Sequence, residues 1–149
     1  MYLSDCGKEQ IFALLSDWGE PRYRAAQVWD WLNRGARPDE MTNLPKGLRE
    51  KLAAIPYGGV TIERKLVSAR DGTVKYLFLL EDENLVEGVL MRYHYGNTVC
   101  LSTQVGCNMG CRFCASTLSG CVRNLRVGEL LGQVHEIERS EPAPAPGHR

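Results

Sequence analysis

Five of the six cysteines in this chain fall between Cys100 and Cys121, and three of them, Cys107, Cys111 and Cys114, form a C-x3-C-x2-C segment within GCNMGCRFC. Thiols crowded this tightly cannot act as a disulfide framework for a chain of 149 residues, and the opening MYLSDCGKEQ has neither the basic flank nor the apolar run of an export signal. Metal or redox chemistry is therefore the leading reading of the cluster. Structural zinc takes a closed tetrahedral set of S or N ligands, so three thiolates are one short. Cys100 would complete such a set as C-x6-C-x3-C-x2-C. A four-iron four-sulfur cluster ordinarily takes one protein ligand per iron, and three cysteines would leave one iron open to bind something else.

The cysteines follow two differently patterned stretches. Residues 1–56 read as three short helices. Ser4 is placed to cap the first, whose apolar residues Ile11, Phe12, Leu14, Leu15 and Trp18 recur at helical spacing before Gly19. The second begins after Pro21 and carries Ala25, Val28, Trp29 and Leu32 ahead of Gly35. The third follows Pro45 with Leu48, Leu52 and Ile55 and closes at Pro56. The three tryptophans are expected to pack this small module.

From Val60 the period falls to two. VTIERKLVSA and TVKYLFLL flank Asp71-Gly72, a strong hairpin signal. LVEGVLMRY predicts a third strand, and NTVCLSTQ, after a turn at Gly96-Asn97, a fourth. Beyond the cysteine loop, Leu130, Leu131, Val134 and Ile137 mark a helix from about Val127 to Arg139. Strand, loop and helix in that order read as the start of a β/α unit, and the Pro/Ala-rich SEPAPAPGHR cannot continue the helix. The fold class expected is α/β with an α+β N-terminal part: a helical accessory domain over 1–56, a β-hairpin region over 57–97, a first β/α unit over 98–139 and a tail over 140–149.

With 18 basic and 18 acidic side chains and 44% hydrophobic residues, the chain is neither disordered nor a bulk polycation. No apolar run approaches the ~18 residues that would span a bilayer, so no membrane partner is expected and the reading is cytoplasmic. One local imbalance remains, since Arg112, Arg123 and Arg126 occur in a stretch without a carboxylate. Arg123 and Arg126 are candidates for RNA phosphate contacts or for a solvated turn. Tyr93, His94 and Tyr95 are candidates for base stacking, although aromatics also suit an edge strand without further function.

A strand followed by C-x3-C-x-F-C resembles the radical S-adenosylmethionine (SAM) enzymes, and the wider text resembles their RlmN/Cfr-type RNA adenine methyltransferases. The similarity runs through GEPRYRAAQVWDWL, MTNLPKGLREKL, DGTVKYLFLL, LVEGVL, TVCLSTQVGC and RNLRVGELLGQV, nearly everything before the tail. It implies that Cys107, Cys111 and Cys114 hold a four-iron four-sulfur cluster whose open iron binds SAM, and that reductive cleavage of SAM gives a radical able to functionalise the unactivated C2 of adenosine. Phe113 resembles the aromatic that contacts the SAM adenine. A cysteine near the family's far C-terminus carries the methyl group, and Cys100 matches the second cysteine, which releases the protein–RNA adduct.

Alternation puts Cys100 on a polar strand face with Thr98, Ser102 and Gln104. Glu87, in V-E-x-V-L, resembles the general base. Its expected face, with Leu85, Val89, Met91 and Tyr93 and no cation, would raise its pKa toward a useful range. Cys6 and Cys121 are expected to be packing thiols. The implied partners are 23S rRNA, tRNA and a flavodoxin-like reductant, and the chain is expected to be a monomer. The implied fold continues into a partial (β/α)6 barrel. The family's Gly-Glu-Pro segment and methyl-carrying cysteine do not occur here, so the chain is expected to be a truncated piece, inactive alone. The competing functions are a zinc-bound non-catalytic RNA-binding module and, more weakly, an iron–sulfur electron carrier.

Overall fold

A computed structural model describes residues 1–141; the PAPAPGHR segment of the expected tail lies outside them. The chain divides into two compact units, Met1–Gly59 with Arg126–Leu131, and Val60–Leu125 with the chain from Gly132 onward.

The first unit contains three helices, α1 (Lys8–Asp17), α2 (Arg22–Leu32) and α3 (Lys46–Ala53), with short 3-10 turns at Leu3–Asp5 and Pro38–Glu40. Pro21 and Pro45 stand at the N-caps of α2 and α3, where a missing N–H costs nothing. Leu3, Ile11, Leu15, Val28, Met41, Leu48 and Leu52 form the buried core, and Trp18, Trp29 and Trp31 pack half-buried around it. Ser4 does not cap α1. It lies inside the first 3-10 turn, and its buried hydroxyl finds no partner among the described residues. The helix starts instead after Gly7, whose N–H donates to Gln10 Oε1 at 2.8 Å.

Capping chemistry in this unit serves α4 (Val127–Ser140) instead. Asp5 Oδ1 accepts from the Gly128 N–H at 2.7 Å, and Glu129 Oε2 from the Arg126 N–H at 2.8 Å, satisfying two donors at the helix start. The contact is so close that a Cβ on Gly128 would fall 2.0 Å from Ser4 Oγ.

The second unit is an antiparallel sheet in the order β1 (Val60–Val67), β2 (Val74–Leu80), β3 (Leu85–Tyr93), β4 (Gly96–Leu101). One face is buried by Val74, Tyr76, Phe78, Leu80, Val86 and Leu90, with the Tyr76 and Phe78 rings stacked at 5.7 Å. The β1–β2 connection is longer than a two-residue turn: Val67 pairs with Val74, and Asp71 Oδ1 accepts from the Thr73 N–H at 3.0 Å inside the loop.

The turn expected at Gly96-Asn97 lies two residues earlier, at His94-Tyr95, because Tyr93 pairs with Gly96. That register sets Val99 and Leu101 opposite Leu90 and Gly88 on the buried face, and slipping it by one residue would expose them. The expected continuous strand NTVCLSTQ also breaks. β4 ends at Leu101, and Gln104–Gly106 (β5) forms a separate antiparallel ribbon with Cys121–Asn124 (β6). The break falls where both backbone groups of Ser102 are taken by the Gln133 side chain rather than by a neighbouring strand. Every strand pair among the described residues is antiparallel. Along α4 the buried positions are Gly128, Glu129, Gln133 and Ile137, whereas Leu131, expected on the apolar face, is 50% exposed.

Candidate functional site

The β5–β6 ribbon closes the cysteine loop at its base. Gly106 has φ +74°, and a Cβ there would meet the Gly120 carbonyl oxygen at 1.9 Å, so only glycine lets the two strands come this close. The Cys107 N–H donates to that carbonyl at 3.0 Å, and the Cys121 N–H donates to Asn108 Oδ1 at 2.8 Å. Within the loop the Thr117 hydroxyl is shared between the carbonyls of Cys111 (3.2 Å) and Cys114 (2.8 Å), tying the last two cysteines together through their backbones. Cys107, Cys111 and Cys114 are half-buried free thiols. Around them Met109, Phe113 and Leu118 project into solvent. Phe113 is 93% exposed.

Among the described residues no three His, Cys, Asp or Glu side chains converge as ligands of one metal ion. A single zinc needs all its ligands within ~2.0–2.3 Å of one point, and Cys100, the fourth ligand of that reading, stands exposed on β4. In an iron–sulfur cluster the thiolates are distributed over separate irons. Three half-buried thiols on one loop are a donor set of the right softness and number for a cluster with one open iron.

Glu87 and Cys100 occupy the other, open face of the sheet. Cys100 pairs with Val89, and Glu87 lies two residues from Val89 on the same strand face, so the two are diagonal cross-strand neighbours. Such positions lie about 7–8 Å apart. Thr98 shares this exposed face, while Val99 and Leu101 turn inward. The environment expected for Glu87 is corrected by the register. Leu77 of β2 lies opposite Glu87, and Lys75, two residues along, reaches Glu87 Oε1 with its Nζ at 2.7 Å. With both side chains about half exposed, the carboxylate is a solvated partner in an ion pair, not an isolated group among apolar neighbours.

The two arginines read as candidates for phosphate contacts or for a solvated turn are engaged in ion pairs within the protein. Arg126 meets Asp5 Oδ2 at 3.1 Å and the fully buried Glu129 at 3.0 Å, and its guanidinium lies 3.7 Å from the centre of the Tyr2 ring. Arg123 pairs with Asp82 at 2.7 Å. Cys6 is buried, and burial, then the neighbouring Asp5 carboxylate, push its thiol above its ordinary pKa, as suits a packing residue. Sequence reasoning placed Ser102 only on the polar strand face of Cys100 and did not reach its partner Gln133. The buried Gln133 carboxamide grips the Ser102 backbone, and Ser102 Oγ donates to the Glu87 carbonyl at 2.7 Å. Their signal, one glutamine on a helix face, is indistinguishable from a solvated position.

The family described as "Ribosomal RNA large subunit methyltransferase N-terminal domain" matches residues 1–57. A "Probable dual-specificity RNA methyltransferase RlmN" from Alkaliphilus oremlandii is 56% identical over 128 residues, covering 85% of this chain and 37% of that protein. The protein of the same description from Thermoanaerobacter sp. strain X514 is 48% identical over 139 residues, 91% of this chain and 41% of its own length. The chain thus spans about two fifths of the curated relatives it matches. A crystal structure of a radical SAM methyltransferase from Sphaerobacter thermophilus superposes with a TM-score of 0.83 at 41% identity, covering 94% of this chain and 42% of that one. No helix among the described residues is long and apolar enough to cross a membrane.

Proposed function

The chain belongs to the RlmN family through the two fifths of its relatives' length that it spans, and from that premise we propose that it carries the cluster loop and two reacting side chains of a radical SAM enzyme that methylates C2 of adenosine in 23S rRNA and tRNA. Cys107, Cys111 and Cys114 would hold a four-iron four-sulfur cluster, with the Phe113 backbone beside the SAM adenine. When bound, cluster and SAM supply the one-electron cleavage and hydrogen abstraction that an unactivated aromatic carbon demands. The rest of a partial (β/α)6 barrel and a flavodoxin-like reductant belong to the same proposal.

The observation that carries this reading is the diagonal placement of Glu87 and Cys100 on one open sheet face, on the strands that lead into the cysteine loop. A methylated adenosine held covalently by the enzyme must lose its C2 proton and then part from the enzyme. Glu87 is the carboxylate on this face that accepts the proton, with Lys75 fixing its orientation. Cys100, exposed and two residues along the facing strand pair, is the thiol whose thiolate attacks the sulfur of the methyl-carrying cysteine: the S–S bond forms as the S–C bond to the adduct breaks, and the released carbon keeps the electron pair and takes up a proton to become the product methyl group.

The test is metal content. After anaerobic reconstitution with iron and sulfide the protein should be brown with broad visible absorption, should lose iron on Cys107→Ala, Cys111→Ala or Cys114→Ala, and should keep it on Cys100→Ala. A colourless zinc protein that loses its metal on Cys100→Ala would overturn the reading in favour of a four-cysteine zinc site.

A further inference from the structure

The β3–β4 hairpin ends in an aromatic cluster that the chemistry above does not use. Tyr93 and Tyr95 stack with ring centres 5.0 Å apart and planes within 11°, and His94 meets Tyr95 edge-on at 5.1 Å. Tyr95 is 71% exposed and Tyr93 46%. The residue opposite Tyr93 is Gly96, which has no side chain to cover the ring. We infer that this hairpin tip is a stacking platform for an unpaired nucleotide of the RNA, an inference that rests on the RNA-modifying reading of the chain.

Three observations favour a base over other occupants. The rings are already ordered against each other, so a flat π-face is presented with little further loss of side-chain freedom, and base–aromatic stacking needs nothing else to be sequence-tolerant. Two rings match one or two bases in size but fall far short of the ~1,200 Å² that a stable protein–protein contact buries. Finally, the chain has no carboxylate from Gly88 to Gly128 and carries four arginines there. Three of these, Arg92, Arg123 and Arg126, are neutralised by Glu141, Asp82 and Asp5, and Arg112 is exposed with no carboxylate partner among the described residues. The tip therefore presents π surface without a charge that would repel phosphate.

Position supports the same assignment. Tyr93 lies six residues beyond Glu87 on the same face of β3, roughly 20 Å along the strand at ~3.3 Å per residue. A short run of unstacked nucleotides bridges that distance, so a base held at the tip flanks the one presented to Glu87 and Cys100.

The test is fluorescence anisotropy of the 149-residue chain with a labelled single-stranded oligoadenylate and with a blunt RNA duplex. The single strand should bind more tightly than the duplex. Tyr93→Ala and Tyr95→Ala should each weaken it about 5- to 150-fold. Tyr95→Phe, which keeps the ring, should stay within about twofold. Alanine at Tyr95 should leave the salt dependence unchanged, because stacking releases no counterions, whereas Arg112→Gln should flatten it. The platform is overturned if the double alanine variant, with an unchanged circular dichroism spectrum, binds as the parent does, if duplex and single strand bind alike, or if the parent binds neither. Iron incorporation is measured separately, so each of these failures leaves the cluster assignment standing, and a colourless protein that still discriminates strandedness would overturn only that assignment.

Discussion

The Gln133 carboxamide brackets Ser102, donating from Nε2 to its carbonyl at 3.0 Å and accepting its N–H at 3.2 Å. Ser102 in turn donates its hydroxyl to the Glu87 carbonyl at 2.7 Å. A fully buried helix side chain thus holds the point at which β4 leaves the sheet, two residues after Cys100 and directly beside the strand of Glu87.

Gln133→Leu keeps the volume but leaves the Ser102 N–H and carbonyl without these partners. Unmet polar groups of this kind cost about 1–3 kcal/mol. Urea unfolding should show a midpoint lowered by a corresponding amount, and hydrogen exchange at Ser102 should accelerate. Unchanged protection at Ser102 would show that the clamp does not hold the strand end.

Glu141, the residue that follows α4, receives Lys65 Nζ at 2.7 Å, together with the Tyr76 hydroxyl and the Arg92 guanidinium. Burial pushes its carboxyl up, but the bonds from Lys65, Tyr76 and Arg92 outweigh that and hold it below the ordinary value of 4.5. A carboxyl depressed by folding stabilises the protein above its unfolded pKa, and that contribution is lost as pH falls through the folded value. Stability should therefore decline as pH drops below about 4.5, and Glu141→Gln should be less stable at pH 7 with a shallower acid limb. Parallel acid limbs in the two proteins would exclude Glu141 as their source.

Arg126 and Asp5 tie the first 3-10 turn to the start of α4. Asp5→Ala removes both a partner of Arg126 and the carboxylate that accepts the Gly128 N–H, and helix caps of this type contribute about 0.5–2 kcal/mol. Arg126→Ala strips the fully buried Glu129 of its guanidinium and should be the more damaging change, roughly 1–3 kcal/mol after allowing for the part of Arg126 that faces water. The double variant should cost less than the sum of the two, because Asp5 and Arg126 share one contact. Thermal denaturation of the three variants measures this, and strict additivity would contradict the coupling.

What could be read in advance divides along chain separation. The prolines before α2 and α3 and the alternation of LVEGVLMRY are local patterns, and those elements appear with nearly the expected limits. The cysteine spacing and the outward face of Cys100 are local as well. The cap of α4 comes from Asp5, 123 residues away from Gly128, and the Lys75–Glu87 pair depends on the register between two strands. Neither leaves a mark in the neighbouring residues. The break at Ser102 was invisible for the same reason: the strand pattern of NTVCLSTQ is sound, and a glutamine on another element interrupts it.

The Lys75 pairing changes what a substitution at Glu87 measures. A salt bridge with both partners about half exposed contributes only ~0–1 kcal/mol, so Glu87→Gln should fold with essentially the parent's stability. The amide is isosteric and keeps a hydrogen-bonding oxygen for Lys75, but it takes up no proton. In an enzyme of the relatives' full length bearing this segment, Glu87→Gln should therefore retain SAM cleavage while product formation slows by roughly 100- to 10,000-fold, the range for loss of a general base. Lys75→Met should bind iron normally and remain folded, with a loss of rate smaller than that of Glu87→Gln, because it removes the orienting cation and leaves the base. Mass spectrometry of digested RNA, read beside the 5′-deoxyadenosine released, separates the two steps. Turnover of Glu87→Gln at the parent rate would make Glu87 an ordinary solvated strand residue, and a parallel loss of SAM cleavage would place its effect on the cofactor site instead of on the proton.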